Sequence, residues 1–335
     1  MDIRRLESWY QNHHRKLSFR QTQDPYHIWV SEIMLQQTQV ETVLPYFDKF
    51  IMKYPSIIDL ADADEEILHR DVEGLGYYRR FKNMHQAAKL IKLNHQGIFP
   101  KTYEEVLALP GIGRYTAGAI MSIAYKKPFS ALDGNVIRVL SRYLGNGLDM
   151  REEKNKKILD QYNQYQIENS NPEIYTQAMM ELGATICRPK QPKCELCPLQ
   201  EHCFAYHQQE THLYPNLSRL KEKQIESYMT FIIHHEKGII LRKRTENLLN
   251  GMYEYPQYES ESLGNVLSSL EEKGIYLNPL TDESIVQHVF THRVWIMHVY
   301  HCHIKGQLDP EWICVDQNEI KKLPMAIAHR KITFI

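Results

Sequence analysis

Four of the six cysteines lie close together, in a stretch that follows a predicted helix over Gln177–Thr185. They are Cys187, Cys194, Cys197 and Cys203, separated by six, two and five residues. Four thiolates at such spacing can hold either zinc or an iron–sulfur cluster. Structural zinc commonly uses two Cys-x2-Cys pairs and only one is present, so the spacing alone leaves the metal open. The other two cysteines, at 302 and 314, match no motif and are predicted to be free thiols.

A glutamate stands inside an apolar helical pattern near the N-terminus. Asp24 and Pro25 predict the start of this helix, as cap and first helical residue, and Glu32 falls on a face with apolar neighbours. Burial would raise the pKa of its carboxyl group, and an acid that keeps its proton near neutral pH can act as a general acid. The alternative is a buried glutamate whose role is structural.

A second carboxylate, Asp133, precedes Gly134 and Asn135 at the start of another helical pattern. This arrangement is typical of a turn with a helix cap, which is the structural interpretation. The functional interpretation pairs Asp133 with the Glu32 acid. Glycosidic cleavage needs one acid to protonate the leaving group and one ionised carboxylate to stabilise or trap the oxocarbenium ion.

The segment Leu109–Ala119 begins with a turn that has two glycines, Gly111 and Gly113, followed by Arg114 and a helix of small residues. Glycines in a tight turn allow backbone N–H groups to approach a ligand, and the helix N-terminus favours an anion there. The segment resembles a helix-hairpin-helix, a motif that binds DNA phosphates through its backbone; the alternative is an ordinary turn between helices.

These candidate residues must be positioned by two different kinds of structure. Up to about residue 205 the apolar residues recur at helical spacing, and after about 225 short runs of Ile, Val, Tyr and Phe indicate strands. The segment 206–224 is polar and contains Pro215, as a linker would. The pattern therefore predicts an all-α part followed by a smaller α/β domain.

The composition is that of a globular protein, with 43% hydrophobic and 24% charged residues in 335. It excludes a collagen, a coiled-coil rod and a disordered tail, and the length favours two domains. Without a signal peptide or a long apolar run, the expectation is a soluble protein. A net charge of −1 argues mildly against DNA binding through charge alone.

Together these motifs resemble the MutY family of A/G-specific adenine DNA glycosylases, over essentially the whole chain. The resemblance rests on Ser31–Thr38, on the Gly-rich segment with Tyr115, on Leu132–Val136 and on the four cysteines. It implies an all-α N-terminal part, comprising a six-helix barrel module with a helix-hairpin-helix and an iron–sulfur helical module, followed by an α/β Nudix-like C-terminal domain. The expected ranges are 1–205 for the catalytic region (barrel about 20–125; iron–sulfur module 1–19 and 126–205), 206–224 for the linker and 225–335 for 8-oxoguanine recognition.

The resemblance also implies roles for individual residues. Glu32 would protonate N7 of a flipped adenine, helped by Tyr115, and Asp133, oriented by Asn135, would stabilise or trap the oxocarbenium ion. The four cysteines would hold one [4Fe–4S] cluster. The expected DNA contacts are Gln37, Tyr77, Gly111, Gly113, Arg114 and Arg188. The expected 8-oxoguanine contacts are Phe290, Thr291 and His292.

Two departures from the family pattern stand out. Thr291 replaces the usual serine of a Phe-Ser-His loop, which preserves a hydroxyl donor, and Phe19 stands where the family commonly has tryptophan. The C-terminal domain also has no Arg-Glu-x-x-Glu-Glu run, so Nudix hydrolase activity is not expected.

Two other functions remain as alternatives. Endonuclease III-type enzymes place a lysine where this chain has Tyr115, and a phenol cannot form the Schiff base that their strand cleavage uses. A catalytically silent mismatch-binding or redox-sensing protein would have no need of Glu32, Tyr115 and Asp133 together. The expectation is therefore a monofunctional, monomeric enzyme acting on double-stranded DNA with adenine opposite 8-oxoguanine or guanine. It would have no membrane partner and would lie in the cytoplasm, associated with the nucleoid in a bacterium.

Overall fold

The computed structural model describes residues 1–219, 222–279, 283–290, 292–316 and 318–332. Twelve α-helices precede the first strand in these residues: α1 Ile3–His13, α2 Pro25–Leu35, α3 Val40–Lys53, α4 Ile57–Ala61, α5 Glu65–Asp71, α6 Arg79–His95, α7 Tyr103–Leu107, α8 Arg114–Ile123, α9 Gly134–Leu144, α10 Glu153–Glu168, α11 Pro172–Thr185 and α12 Phe204–His207. The strands and helices that follow are β1 Gln224–His235, β2 Gly238–Lys243, β3 Tyr253–Glu254, β4 Gln257–Glu259, α13 Leu263–Glu271, β5 Ile275–Pro279, β6 Ser284–Val289, β7 Arg293–Gly306, β8 Trp312–Val315 and α14 Ile327–Arg330.

The chain forms two compact units. The first comprises residues 1–63 and 80–219, and the second comprises residues 64–79 together with the described residues from 222 onward. Segment 64–79 lies inside the stretch that the sequence assigns to the barrel, yet it groups with the second unit. The predicted domain boundaries remain predictions.

Local sequence signals explain how α2 and α9, the two helices with the candidate carboxylates, begin. Asp24 caps α2 by accepting a hydrogen bond from the Tyr26 backbone N–H at 2.8 Å, and Pro25 occupies the first turn, as predicted. Asp133 caps α9 in the same way, and Gly145 ends α9 in the left-handed region with φ +66°. The predicted cap at Asp133 is confirmed, and the structural and functional interpretations of this residue are compatible.

The first unit buries its helices on apolar faces. Helix α2 is buried along almost its whole length, from Ile28 to Met34, which explains its apolar sequence. Helices α1, α9 and α11 pack together around Leu6, Leu140 and Leu182, none of which is exposed. This packing fixes the start of α9 relative to the cysteine loop that follows α11.

The second unit is a mixed sheet with a core on each face. Its strand order is β3-β2-β1-β7-β5, with β4 beside β1, β6 beside β7 and β8 beside β2. The central pair β1–β7 is parallel and the other pairs are antiparallel. Trp295 and Met297 lie in one core, and Phe231 and Cys302 lie in the other. The predicted order, a helical part followed by an α/β domain, is confirmed.

No helix among the described residues is long and apolar enough to span a bilayer.

Candidate active site

Glu32 and Tyr115 form a hydrogen-bonded pair between α2 and α8. The Tyr115 hydroxyl donates to Oε2 of Glu32 at 2.5 Å, and the Glu32 residue is only 6% exposed. Burial raises the pKa of Glu32 to about 7, because the charged carboxylate loses its hydration. The Tyr115 hydrogen bond and the charge of Arg20 oppose this rise, while the charge of Asp133 adds to it. Glu32 therefore keeps a proton close to neutral pH.

Tyr115 is held in its neutral form. Burial raises the pKa of its phenol well above the usual value, and the carboxylates of Glu32 and Asp133 raise it further. The hydroxyl is consequently a donor at any physiological pH. Glu32, Tyr115 and Asp133 are thus brought together from positions 32, 115 and 133 of the chain, and the charge of Asp133 raises the pKa of both Glu32 and Tyr115.

Both carboxylate oxygens of Asp133 accept hydrogen bonds. Oδ1 accepts from the Val136 backbone N–H at 2.7 Å, and Oδ2 accepts from Nδ2 of Asn135 at 2.8 Å. Burial raises the pKa of Asp133, but these hydrogen bonds and the charge of Arg138 favour the ionised form. The two carboxyl groups therefore differ in surroundings: Glu32 receives a bond from one phenol, whereas Asp133 is surrounded by donors that stabilise a negative charge.

Arginines connect Asp133 to the cysteine loop. NH2 of Arg138 donates to Oδ1 of Asn135 at 2.9 Å, and Nε of Arg138 donates to the Cys187 carbonyl at 2.8 Å. One turn later, NH1 of Arg142 donates to the Cys187 sulfur at 3.4 Å. A continuous set of hydrogen bonds thus runs from the carboxylate to the first cysteine of the loop.

A buried glutamate that the sequence did not single out lies in the same unit. Glu181, on α11, has no exposed surface and accepts from Nε and NH2 of Arg15, both at 2.9 Å. NH1 of Arg20 lies 2.8 Å from its Oε2. This pairing fixes Arg20, whose charge lowers the pKa of Glu32. The signal that could have found Glu181 is the one that found Glu32, a carboxylate inside an apolar helix.

The predicted hairpin is present between α7 and α8. Gly111 adopts φ +79°, and a Cβ atom there would lie 2.7 Å from Cβ of Asn83, so only glycine fits. Gly113 caps α8 without a side-chain hydrogen bond, and a Cβ at this position would meet no atom within 4 Å. Gly111, Gly113 and Arg114 are all exposed. The first N–H groups of α8 therefore face open space, as an anion site requires.

The remaining predicted DNA contacts lie at the surface. Gln37 is exposed just after α2 with φ +57°, and Arg188 is exposed while its Nε donates to the Thr185 carbonyl. Tyr77 belongs to the second unit, where it is 55% exposed with φ +46°. An exposed aromatic ring on a backbone in the left-handed region is unusual, which favours a role in binding over one in packing.

Phe290 and His292 flank the turn that joins β6 to β7. The Phe290 backbone N–H donates to the Arg293 carbonyl, and its ring packs on Trp295 with centroids 4.8 Å apart. His292 is exposed, and its Nε2 accepts from Nε of Arg293 at 2.9 Å. Thr291 lies outside the described residues.

All four clustered cysteines line one pocket, as the spacing suggested. The other lining residues include Arg142, Ile186 and Tyr206. Within the described ranges, no three His, Cys, Asp or Glu side chains converge closely enough to hold a single metal ion. Four thiols that line one pocket are a donor set that suits zinc or an iron–sulfur cluster. Elsewhere, Cys302 is buried and Cys314 partly buried, both as free thiols.

The arrangement as a whole suits acid-assisted cleavage of a bond next to a sugar. It offers a proton donor in Glu32, a neutral phenol beside it and a negative charge in Asp133 that can face developing positive charge. The start of α8, where the N-cap Gly113 supplies no side-chain acceptor, suits an anion such as phosphate. None of these groups requires a large positive net charge.

Comparison with known families agrees with this description. Residues 30–164 match the family described as HhH-GPD superfamily base excision DNA repair protein, and residues 228–333 match the NUDIX domain. The adenine DNA glycosylase of Buchnera aphidicola subsp. Acyrthosiphon pisum is 36% identical over 296 residues, which is 87% of this chain and 83% of that protein. The adenine DNA glycosylase of Rattus norvegicus is 41% identical over 212 residues, 61% of this chain and 41% of that protein.

Solved structures share the helical fold. A thermostable thymine-DNA glycosylase superposes with a TM-score of 0.56 at 27% identity, over 62% of this chain and 95% of that one. An endonuclease III in a non-covalent DNA complex gives a TM-score of 0.51 at 22% identity, over 62% and 94% of the respective chains. The second likeness bears on the fold alone.

Proposed function

Since the chain belongs to the adenine DNA glycosylase family, we propose that it removes adenine paired with 8-oxoguanine, and also with guanine, from double-stranded DNA. It does so by hydrolysis, leaves an abasic site and so begins base excision repair. The observation that carries the proposal is the buried Glu32–Tyr115 pair beside Asp133, with the pKa of Glu32 at about 7.

Glu32 is the general acid in this proposal. An adenine flipped out of the duplex presents N7, and Glu32 transfers its proton there while Tyr115 holds the carboxyl group in place. Protonation makes adenine a better leaving group, so the C1′–N9 bond breaks and the sugar acquires oxocarbenium character. Asp133 stabilises that positive charge or bonds covalently to C1′, and Asn135 orients it. Water then completes the hydrolysis.

Strand cleavage is not part of the proposed reaction. The position after Arg114 holds Tyr115, whose hydroxyl is bonded to Glu32 and cannot form an iminium with the sugar. The proposed product is therefore an intact strand with an abasic site.

We propose that uncharged backbone N–H groups make many of the contacts with the DNA. The N–H groups at Gly111, Gly113 and the start of α8 bind phosphates, and Arg114, the next residue in the sequence, and Arg188 of the cysteine loop add charged contacts. Gln37 supports the opened duplex, and Tyr77 is the wedge beside the oxidised guanine. Phe290, Thr291 and His292 contact 8-oxoguanine. We propose that one chain suffices for these contacts, and a cytoplasmic location stays a prediction.

The four cysteines suit one [4Fe–4S] cluster, because all four thiols line the same pocket. Bound there, the cluster supplies iron–thiolate bonds that tie the loop 187–203 together. Arg142 donates a hydrogen bond to the Cys187 sulfur and so helps to hold this side chain in place.

Replacing Cys194 with alanine is expected to remove the cluster, because three thiolates remain of the four that line the pocket. The visible absorbance of the purified protein should disappear, and iron analysis should fall toward zero. Cys302→Ala is the matched control, since Cys302 is a buried thiol in the other unit and should leave the iron content unchanged. Full iron content in Cys194→Ala would contradict the assignment.

Replacing Tyr115 with phenylalanine should shift the pH dependence of excision. The phenol lowers the pKa of Glu32, so its loss raises that pKa above about 7. A general acid works only when protonated, so the rate falls as pH rises through its pKa, and this fall should occur at higher pH in the variant. Single-turnover rates between roughly pH 5 and pH 9 measure the shift. Tyr175→Phe, which loses a buried hydroxyl bonded to Asn163, should keep the wild-type profile.

The proposed specificity is tested with three duplexes that differ only in the base opposite a single adenine. The full chain should remove adenine fastest opposite 8-oxoguanine, more slowly opposite guanine and not measurably opposite thymine. Abasic sites are revealed by alkali. Equal rates on all three duplexes would contradict the specificity, and strand breaks without alkali would contradict monofunctional action.

A further inference from the structure

Arg80 lies at the start of α6, and its side chain is almost completely buried against the C-terminal end of α2. NH1 donates to the carbonyl oxygens of Ile33 at 2.9 Å and Met34 at 3.0 Å, and also to that of Gln36. NH2 donates to Oγ1 of Thr38 at 2.9 Å. From these contacts we infer that Arg80 is a positioning residue, which fixes both the helix that carries Glu32 and the loop that presents Gln37.

The contacts match what the end of a helix needs. The last carbonyl groups of a helix lack partners within it, and the partial negative charge there favours a cation. A guanidinium group has five N–H donors in a rigid plane, so it can bind several carbonyl oxygens at once. Three of the four acceptors share the two hydrogens of one guanidinium nitrogen, and the other terminal nitrogen binds Oγ1 of Thr38. A lysine has a single nitrogen, so it lacks the second donor atom that binds Thr38.

The loop after α2 needs such support because its backbone is strained. Gln37 adopts φ +57°, in the left-handed region that residues other than glycine enter at an energetic cost. Arg80 bonds to the residue on each side of it, Gln36 and Thr38. Strained backbone persists when its surroundings fix it, and these two bonds supply that constraint.

The same contacts bear on Glu32. The carbonyl groups of Ile33 and Met34 belong to the two residues that follow Glu32, so Arg80 fixes the helical turn from which the acid projects. The 2.5 Å bond between Glu32 and Tyr115 joins α2 to α8 and depends on the position of that turn. A displacement of about 1 Å in a catalytic group can cost on the order of 100-fold in rate.

The kinetic part of this inference rests on the proposed function. The structural part does not, because it is measured on the free protein without DNA. Hydrogen–deuterium exchange of the free protein should be faster over residues 34–39 in Arg80→Lys than in wild type. Lys89→Met is the control, because Lys89 is an exposed cation on the same helix and its loss should leave that exchange unchanged. Unchanged exchange in Arg80→Lys would overturn the inference whether or not the chain excises adenine.

The kinetic part uses single-turnover excision on adenine opposite 8-oxoguanine. Arg80→Lys should be slower by roughly 10- to 100-fold at temperatures where it remains folded, and Thr38→Val, a milder change, by about fivefold. Gln37→Ala should cost less in the Arg80→Lys background than in wild type, because the loop is already displaced. Additive effects would mean that Arg80 acts only on stability and would overturn the inference. Absence of excision by wild type would instead overturn the proposed function.

Discussion

Replacing Glu32 with glutamine is expected to reduce adenine excision by about 10²–10⁴-fold, the usual contribution of a general acid. Glutamine has nearly the same shape and still accepts the hydrogen bond from Tyr115, but it has no proton to give at about pH 7. The buried carboxyl is replaced by a neutral amide, so the fold should be retained. Single-turnover excision with enzyme in excess measures the chemical step directly.

Binding separates this effect from general damage to the protein. Affinity for a duplex with a non-cleavable adenine analogue should change little in Glu32→Gln, since the acid is not proposed to hold the DNA. Glu168→Gln, which alters an exposed glutamate of the same unit, should behave as wild type in both assays. Unimpaired turnover by Glu32→Gln would show that another group supplies the proton.

Replacing Asp133 with asparagine should reduce excision by about 10²–10³-fold for a different reason, the loss of a negative charge that faces the oxocarbenium ion. Asparagine caps helices about as well as aspartate, so the bond to the Val136 N–H and the start of α9 should persist. The measurement that isolates the charge is affinity for an abasic-site analogue. A cationic pyrrolidine analogue should bind much more weakly to the variant, and a neutral tetrahydrofuran analogue should bind almost equally to both proteins.

Asp64→Asn provides a matched control for this prediction. Asp64 caps α5 by accepting from the backbone N–H groups of Glu66 and Ile67, so the change removes the same charge from another helix cap. It should leave the preference for the cationic analogue intact. If Asp133→Asn lost the same affinity for the cationic and the neutral analogue, Asp133 would act only as a helix cap.

The sequence anticipated the parts of the site that are encoded locally. The cap at Asp24, the turn at Gly111 and the cysteine spacing each depend on neighbours within a few residues, and the structure contains all three features. The helical part followed by a sheet was also predictable, because the periodicity of apolar residues changes near residue 225.

Contacts between distant residues were not predictable in this way. Arg80 bonds to carbonyl groups 44 to 47 positions earlier, and Glu181 pairs with Arg15 across 166 positions. Neither pairing is encoded in a local pattern, so composition and periodicity hold no signal of which residue is the partner. For the same reason, the sequence did not predict that segment 64–79 groups with the second unit, because its helical pattern is like that of its neighbours.

The near-neutral net charge of the chain is compatible with DNA binding if the contacts with phosphate are made locally. In the proposed binding mode, backbone donors at the start of α8 bind phosphate without formal charge, and the exposed side chains of Arg114 and Arg188 add to them. Binding to undamaged DNA should therefore be modest.

Identification of the released base tests the central claim most directly. The full chain is incubated with a duplex that contains one adenine opposite 8-oxoguanine, and the small-molecule products are separated and identified by mass. The account predicts free adenine in the same amount as alkali-labile sites, with the strand intact before alkali. A parallel duplex with thymine opposite guanine serves as the competitor, because a thymine-DNA glycosylase shares the fold. Release of thymine without adenine, or no release from either duplex, would contradict the account.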